Sequence, residues 1–363
     1  MAHAPSTPVN LAALSKPELA AQVADWGWPR YRTAQLWQWL YRQRATSFAD
    51  MTNLSAPLRE QLAERAVIEW PRVVRRQIAE DGTRKLLVEL ADGRRVEAVL
   101  IPDERRLTLC LSTQVGCTLD CGFCLTGTME LERNLKAHEM VGQWVVAQQE
   151  LDGRPDGLPR RLTNLVFMGM GEPLANLAQL ADALTRLTDP HGIAFPPRRI
   201  TVSTAGMAPQ IAELGRFQPA INLAVSLNAV DDATRAKIMP MAARYSLEEL
   251  LDACRAYPLA PRRYITFEYV LLDQVNDSDE DARKLVKLLR GLRAKVNLIP
   301  WNPFPGTPYD RPADSRVLRF QTILVDHEIP TYIRKSKGQE IRAACGQLHS
   351  ATDSSERPIQ LVR

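Results

Sequence analysis

The sequence has no apolar run of about 18 residues, the length that a membrane-spanning helix needs, and no positively charged start followed by an apolar stretch. It also has no low-complexity segment. Its six cysteines in 363 residues are too few for the disulfide framework of a small secreted domain. These absences argue against a membrane protein, a fibrous protein and a secreted scaffold. We therefore expect a cytoplasmic protein that does not associate with a membrane.

What is present is the composition of an ordinary globular protein, with 45% hydrophobic and 24% charged residues. A chain of 363 residues favours one large domain with an appendage. The net charge of +4 permits a nucleic-acid partner without demonstrating one. Arginine pairs recur along the chain, and they are typical either of phosphate contacts or of a solvated surface balanced by acids. They are Arg75-Arg76, Arg94-Arg95, Arg105-Arg106, Arg160-Arg161, Arg198-Arg199 and Arg262-Arg263, joined late in the chain by the basic run Arg334-Lys335-Ser336-Lys337.

Residues 1–75 are predicted to form a helical accessory domain. Ser15-Lys16-Pro17-Glu18 is a capping box that opens a first helix, and Gly27 ends it. A second helix is expected after Pro29 and a third from about Ser55. This segment carries four tryptophans, for which core packing is favoured over stacking on bases. They are Trp26, Trp28, Trp37 and Trp39.

Strand patterns dominate from residue 76 onward. Two β-rich runs, 84–90 and 94–101, flank Asp92-Gly93 and predict a β-hairpin extension over residues 76–103. Strands and helices then alternate over residues 104–345, which predicts an α/β fold with a parallel sheet. Six strands favour an open, partial (βα)6 barrel over a closed eight-stranded one. The predicted barrel strands are 107–114, 164–168, 199–203, 220–227, 265–272 and 295–299, and residues 346–363 are predicted as a C-terminal tail.

Three thiols follow the first predicted barrel strand. Cys117, Cys121 and Cys124 have CxxxCxxC spacing, with no fourth cysteine close behind. Thiolates select iron-sulfur clusters, zinc or copper(I), so the trio indicates a metal centre. A four-iron cluster ordinarily takes four cysteines. Three cysteines leave one iron open, and an open position marks a site that performs chemistry. The alternative is a non-catalytic zinc module that binds nucleic acid.

Glycines and small polar residues follow the other predicted strands, at the ends where α/β barrels bind their ligands. Glycines alone are weak evidence, because tight turns also require them. Beside three thiolates they indicate a backbone that lies close to a ligand. Glu172 in this stretch can accept a hydrogen bond from an ammonium group or a ribose hydroxyl. The remaining candidates are Gly169, Gly171, Ser203, Ser226, Asn228 and Asn302.

Together these motifs make the sequence resemble the radical S-adenosylmethionine enzymes. Within that superfamily it resembles the bacterial adenine carbon-2 RNA methyltransferases over nearly the whole chain. The resemblance implies the radical S-adenosylmethionine barrel as the fold and RNA binding as a role for residues 1–75. The residues that carry it are Cys117 to Cys124 with Phe123 before the third cysteine, Leu109-Cys110, 114–117, 168–173, the sequence NLIPWNPFPG at 297–306, Tyr31-Arg32 to Trp39, and Met51-Thr52-Asn53-Leu54.

The resemblance also implies the cofactors and the residue roles. One 4Fe-4S cluster is expected on the three cysteines, and two S-adenosylmethionine molecules are expected per turnover. Cys345 matches the residue that becomes S-methylcysteine, Cys110 matches the residue that resolves the intermediate by a disulfide with Cys345, and Glu97 matches a proton acceptor. Asn228 stands where the family commonly has histidine, so altered cofactor affinity is expected. The matching S-adenosylmethionine positions are Gly171, Glu172, Ser203, Ser226, Leu227, Asn228 and Asn302.

The implied reaction is methylation of adenine carbon 2 in 23S rRNA, at the peptidyl-transferase centre, and in tRNA next to the anticodon. Carbon 2 is electron-poor, which explains the need for a radical route. A flavodoxin-type electron donor and a monomer are expected. The sister class that methylates carbon 8 is the nearest alternative, and the helical start with residues 51–54 favours carbon 2. An RNA substrate makes phosphate contacts the expected role of the arginine pairs, with binding that weakens as salt rises.

Overall fold

The computed structural model describes residues 8–153, 161–240 and 244–350. The part of the predicted C-terminal tail beyond residue 350 lies outside these ranges. The helices are α1 (Lys16–Asp25), α2 (Tyr31–Trp37), α3 (Ala56–Arg65), α4 (Ala137–Asp152), α5 (Leu177–Thr188), α6 (Ala208–Gly215), α7 (Asp232–Ile238), α8 (Leu247–Ala256), α9 (Asp279–Leu289) and α10 (Asp314–Asp326). The strands are β1 (Val9–Asn10), β2 (Ala66–Val67), β3 (Arg72–Ile78), β4 (Arg84–Glu89), β5 (Arg95–Asp103), β6 (Arg106–Cys110), β7 (Gln114–Val115), β8 (Arg133–Asn134), β9 (Asn164–Phe167), β10 (Ile200–Thr204), β11 (Asn222–Ser226), β12 (Ile265–Leu271), β13 (Ala294–Pro300) and β14 (Thr331–Ile333).

Ten of these strands form one sheet in the order β14-β13-β12-β11-β10-β9-β6-β5-β4-β3. The six strands predicted for the barrel are β6 and β9 to β13, and neighbouring members pair in parallel. Within the described residues the sheet stays open, with β3 and β14 at its edges. The prediction of an α/β fold with an open, partial barrel is confirmed. β14, a seventh parallel strand, was not predicted, because three residues are too short to show a periodic pattern.

The predicted hairpin is present as β4 and β5, which pair antiparallel around a turn at Gly93 with φ of +80°. It does not stand apart, because β5 also pairs antiparallel with β6 and so continues the barrel sheet. A third antiparallel strand, β3, pairs with β4 and was not predicted. Three arginines among its seven residues weaken the β signal of the sequence.

The first predicted barrel strand is shorter than expected. β6 ends at Cys110, but the backbone N–H of Leu111 still donates to the carbonyl of Val166 at 2.9 Å. Gln114 and Val115 then turn away and pair with β8. This small antiparallel pair encloses the loop that carries the three cysteines.

The N-terminal helices form as predicted. Ser15 and Glu18 cap α1 reciprocally, and Gly27 has φ of +74° just beyond its end. Trp37 is 1% exposed and its ring centroid lies 4.2 Å from that of Tyr41, so packing explains this residue. The other three tryptophans of the segment are partly buried against the same core. None of the helices in the described ranges combines the length and apolar character that crossing a bilayer requires.

Arg186 of α5 connects these helices to the barrel. Its guanidinium donates to the carbonyl of Ala12 at 3.0 Å, to that of Ala13 at 3.2 Å and to the hydroxyl of Tyr41 at 2.9 Å. It also pairs with Asp182 at 2.7 Å. The N-terminal segment and the barrel therefore share a buried polar contact as well as a common apolar core.

Candidate active site

A cavity opens where the parallel strands reach their C-terminal ends. Ten of the thirteen residues predicted for the site line it, and three do not. The three outside the lining are Leu227, Cys110 and Glu97. The ten that line it are Cys117, Cys121, Cys124, Gly171, Glu172, Ser203, Ser226, Asn228, Asn302 and Cys345.

Gly116 and Gln114 shape the cysteine loop. Gly116 has φ of +79°, and a Cβ there would lie 2.0 Å from the carbonyl oxygen of Glu130, so only glycine fits. The Gln114 amide donates to the hydroxyl of Thr118 at 2.6 Å, and its oxygen accepts from the backbone N–H of Glu172 at 2.9 Å. Gln114 thus joins the cysteine loop to the glycine-rich loop. The sequence includes Gln114 among the residues that carry the resemblance, at 114–117, but assigns no role to its side chain.

The three thiols differ in exposure, with Cys121 buried and Cys117 and Cys124 partly accessible. Burial raises the pKa of Cys117 to about 12 and also raises those of Cys121 and Cys124. Metal binding must therefore displace their protons. In the described ranges, no three His, Cys, Asp or Glu side chains surround a single ion position. A four-iron cluster makes a different demand, because each cysteine binds its own iron, and three thiols facing one cavity fit that demand.

Glu172 follows β9 and bonds to the loop after β10, on the wall of the cavity that the thiols also line. It is 2% exposed, and its oxygens accept from the backbone N–H of Leu174 at 2.9 Å and of Ala205 at 2.7 Å. Burial raises its pKa, while these N–H groups oppose the shift. Each carboxylate oxygen has a second acceptor position, so Glu172 can still accept from a ligand in the cavity.

The glycine-rich loop brings the backbone close to its neighbours. Gly171 has φ of +94°, and a Cβ there would lie 2.5 Å from that of Gln114. At Gly169 a Cβ would lie 2.7 Å from the carbonyl oxygen of Leu111. Side chains are therefore excluded from this wall of the cavity, as the sequence predicts. Thiols, a carboxylate and bare backbone around one space are the set that the cluster and its amino-acid ligand require.

The side chains of Asn228 and Leu227 contact other protein groups, whereas the resemblance predicts that both residues bind S-adenosylmethionine. Asn228 is 1% exposed with φ of +57°, a conformation that asparagine tolerates. Its side-chain oxygen accepts from the backbone N–H of Val270 at 2.8 Å, and its nitrogen lies 3.2 Å from the sulfur of Met239. The amide therefore stabilises the end of β12. Leu227 is fully buried in the core, so only its backbone can approach the site.

Asn302 holds a C-terminal segment, residues 338–349, which we call the strap. Its amide nitrogen donates to the carbonyl of Cys345 at 3.0 Å. Its oxygen accepts from the hydroxyl of Ser336 at 2.5 Å and from the amide of Gln339 at 2.9 Å. The contacts of Asn302 in this structure thus fix the strap residue that the sequence predicts to be methylated.

Cys345 and Cys110 are the two thiols outside the cysteine loop to which the resemblance assigns roles. The Cys345 side chain is exposed to the solvent of the cavity, whereas Cys110 is buried at the end of β6. Burial raises the pKa of Cys110 to about 12, and the neighbouring Cys345 contributes to that shift. Both are free thiols, so the disulfide that the resemblance implies is not formed in this structure. Cys254 is buried in the core on α8, as expected for a packing residue.

Glu97 lies outside the cavity lining, on β5. Its side chain is 5% exposed, pairs with Lys85 at 3.0 Å and accepts from the backbone N–H of His349 at 2.9 Å. Burial raises its pKa, and the charge of Lys85 is the largest opposing influence. Glu268 and Arg334 do line the cavity and were not predicted. Glu268 belongs to no motif, and Arg334 belongs to the basic run 334–337, for which the sequence suggests phosphate contacts and not a place in this cavity.

Three of the arginines in the predicted pairs are engaged by acids. Arg76 pairs with Glu150, Arg94 with Glu132 at 2.8 Å, and Arg95 with Glu89 at 2.9 Å. For these side chains the structure supports the alternative of a charge-balanced surface.

Comparison with known proteins agrees with this geometry. Residues 9–68 match the family described as the ribosomal RNA large subunit methyltransferase N-terminal domain, and residues 111–286 match the radical SAM superfamily. The fold and the cavity thus define a radical SAM enzyme, a class that uses a 4Fe-4S cluster and S-adenosylmethionine.

Similar chains identify the family within that class. A "Dual-specificity RNA methyltransferase RlmN" of Dinoroseobacter shibae is 48% identical over 96% of this chain and 91% of its own. One of Nitratidesulfovibrio vulgaris is 50% identical, covering 94% and 95%. The crystal structure of a radical SAM methyltransferase from Sphaerobacter thermophilus matches 95% of this chain and 100% of its own, with a TM-score of 0.88 and 45% identity. The chain belongs to the RlmN family of dual-specificity RNA methyltransferases.

Proposed function

We propose that this protein methylates carbon 2 of adenine in 23S rRNA and in tRNA, through an S-methylcysteine at Cys345. The observation that carries the proposal is the exposed Cys345 thiol, which shares one cavity with the three cysteines of the loop. A metal module without catalysis has no need of this fourth thiol. The dual specificity in the relatives' names supports two kinds of RNA substrate.

Each predicted residue has a proposed task that its position supports. Cys117, Cys121 and Cys124 hold the cluster, which with S-adenosylmethionine supplies the methyl group and the radical chemistry that carbon 2 requires. The S-adenosylmethionine positions are proposed as the resemblance implies. Gly171, Glu172, Ser203, Ser226, Asn228 and Asn302 line the cavity, and Leu227 stands between two of them in the sequence. The side chains of Asn228 and Asn302 are already hydrogen-bonded within the protein, so each would have to accept a further bond or exchange a partner when the ligand binds.

The remaining steps belong to residues around Cys345. Its thiol accepts the methyl group and later bears the bond to RNA. Cys110 is proposed to release the product by attack of its thiolate on the Cys345 sulfur, which forms a Cys110–Cys345 disulfide as the sulfur–carbon bond breaks. A reductant must then return this disulfide to two thiols before the next turnover. The raised pKa of Cys110 means that this proton must leave first. Glu97 is proposed as the acceptor of the carbon-2 proton, which requires a movement that opens its contact with the strap.

The same proposal covers the organisation of the chain. We assign RNA binding to residues 1–75, an extension to 76–103, the radical S-adenosylmethionine core to 104–345 and a tail to 346–363. A flavodoxin-type protein would supply electrons to a cytoplasmic monomer.

The test is methyl transfer from isotopically labelled S-adenosylmethionine to separated rRNA and tRNA, with mass spectrometry of the digested RNA. Label on adenine carbon 2 in both RNAs is expected, and label on carbon 8 would assign the sister reaction instead. Iron and sulfide analysis of anaerobically purified protein is the companion measurement. Zinc without sulfide would end the radical proposal.

Two cysteine variants test the division of labour. Cys345→Ala should abolish turnover, because no sulfur remains to take the methyl group. Cys110→Ala should accumulate a covalent RNA–protein adduct on denaturing gels, because release fails after the bond has formed. Cys254→Ala, in the core on α8, is the matched control and should retain turnover. A Cys110→Ala protein that is inactive and forms no adduct would contradict the scheme.

A further inference from the structure

Two side chains of the antiparallel strands fasten the strap, in addition to its bonds with Glu80 and Asp81 in the turn between β3 and β4. Near one end, the Lys85 ammonium on β4 donates to the carbonyl of Arg342 at 3.3 Å. Near the other end, the Glu97 carboxylate on β5 accepts from the backbone N–H of His349 at 2.9 Å. Cys345 lies between these two points. The two side chains that hold the strap also pair with each other at 3.0 Å.

This ion pair is almost free of water, with the Lys85 and Glu97 side chains 9% and 5% exposed. Two buried charges lose their hydration, so such a pair is weak evidence of a stabilising role, and apolar residues often replace one without loss. Both charges here also bind backbone groups of the strap. The pair is therefore placed to fix a segment rather than to strengthen the sheet.

The middle of the strap is fastened to the cysteine loop. The carbonyl of Gly346 accepts from the backbone N–H of Leu125 at 2.7 Å, and that of Leu348 accepts from the hydroxyl of Thr126 at 2.6 Å. Leu125 directly follows the cluster cysteine Cys124. The strap thus bridges the buried ion pair and the loop, and its seating sets where the Cys345 sulfur stands relative to that loop.

We propose that Lys85 is a positioning residue of the methyl transfer, which seats the strap by binding Glu97 and the strap backbone and so places the Cys345 thiol in the cavity. This inference rests on the proposed function for the role of Cys345. Lys85 lies outside the cavity lining and acts through its two partners. Without it, Glu97 loses the cation with the largest charge effect on its pKa and keeps only the weaker influence of Arg75, so its hold on His349 weakens as the neutral form gains.

The test compares Lys85→Met and Lys85→Arg in the full-length protein, with Lys284→Met as matched control. Lys284 makes an exposed pair with Glu280 at 2.9 Å on α9, far from the strap in sequence. Backbone hydrogen exchange, measured by mass spectrometry with and without the reconstituted cluster, should be at least tenfold faster in strap peptides of Lys85→Met, with barrel peptides unchanged. Lys85→Arg should restore protection, because arginine keeps the charge and its donors.

Kinetics supply the second readout. In Lys85→Met, kcat for RNA methylation should fall tenfold or more while KM for RNA stays within about twofold, because the thiol and not the RNA surface is misplaced. The proposal would be overturned if the strap peptides of Lys85→Met exchanged at the wild-type rate, or if exchange became faster by the same factor in every peptide. The exchange measurement on cluster-free protein needs no methyl transfer. An unchanged exchange rate in the strap would therefore count against the role of Lys85 alone, whether or not the protein proves to be a methyltransferase.

Discussion

Replacing Arg186 with methionine should cut the main polar contact between the N-terminal helices and the barrel. Methionine fills much of the aliphatic volume but donates no hydrogen bond. The substitution removes the donors to the carbonyls of Ala12 and Ala13 and to the hydroxyl of Tyr41. It also leaves Asp182 without its cation. We expect the free energy of unfolding to fall by about 3 kcal/mol.

The size of this loss in unfolding free energy depends on whether each partner of Arg186 recovers water or another hydrogen bond. Removing one member of a buried ion pair costs about 3–5 kcal/mol. Asp182 is 34% exposed and recovers water, which places the cost near the lower end. The carbonyl of Ala12 keeps the Tyr41 hydroxyl at 3.3 Å. The Ala13 carbonyl loses the Arg186 donor, a loss of about 1 kcal/mol or more for a group that becomes unsatisfied.

Urea unfolding followed by tryptophan fluorescence measures this change, because Trp37 packs on Tyr41 beside the altered contact. Arg283→Met is the matched control, since Arg283 is 57% exposed and pairs with Asp279 at only 3.7 Å. Its expected effect is below about 0.5 kcal/mol. A loss below about 1 kcal/mol for Arg186→Met, or one equal to that of the control, would refute the inference that this buried contact stabilises the attachment of the N-terminal helices to the barrel.

Two further substitutions test the site. Glu268→Gln keeps an oxygen for the 2.8 Å bond from Asn297 and removes a carboxyl whose pKa burial raises. A raised folded-state pKa contributes stability that is present below the unfolded pKa and is lost as pH rises through the folded pKa. The variant should therefore gain stability over the wild type as pH rises, and an equal difference in urea unfolding at acidic and mildly alkaline pH would contradict this. Gly116→Ala should lower the iron content of the reconstituted protein, because its Cβ would lie 2.0 Å from the carbonyl oxygen of Glu130. Gly93→Ala shares the positive φ without a neighbour within 4 Å, so equal iron loss in both would exclude the contact as the cause.

The features that sequence predicts well are those with a local pattern. The cysteine spacing, the glycine-rich loop and the six barrel strands each occupy one short stretch, and parallel strands necessarily bring their C-terminal ends together. This is why most of the predicted residues meet in one cavity.

Features that depend on contacts between distant residues could not be predicted in this way. The pair of Lys85 with Glu97 and the bond from Asn302 to the strap join side chains whose own neighbourhoods are ordinary. Asn228 has the right position, but its amide is used by the backbone of β12. A sequence motif identifies which residue stands at a strand end, and only packing decides which atoms remain available to a ligand.

The anchoring of the strap has a consequence for the folding order. Its bonds to Glu80, Asp81 and Glu97 join residues 260, 257 and 252 positions apart, whereas neighbouring barrel strands are linked by much shorter stretches of chain. A contact between residues so far apart closes a long loop, and the chain loses conformational entropy before the contact provides any stabilising energy. Such contacts therefore form late in folding. We expect a folding intermediate with a finished barrel and a formed cysteine loop, able to take up iron but without the Cys345 sulfur in reach of a substrate.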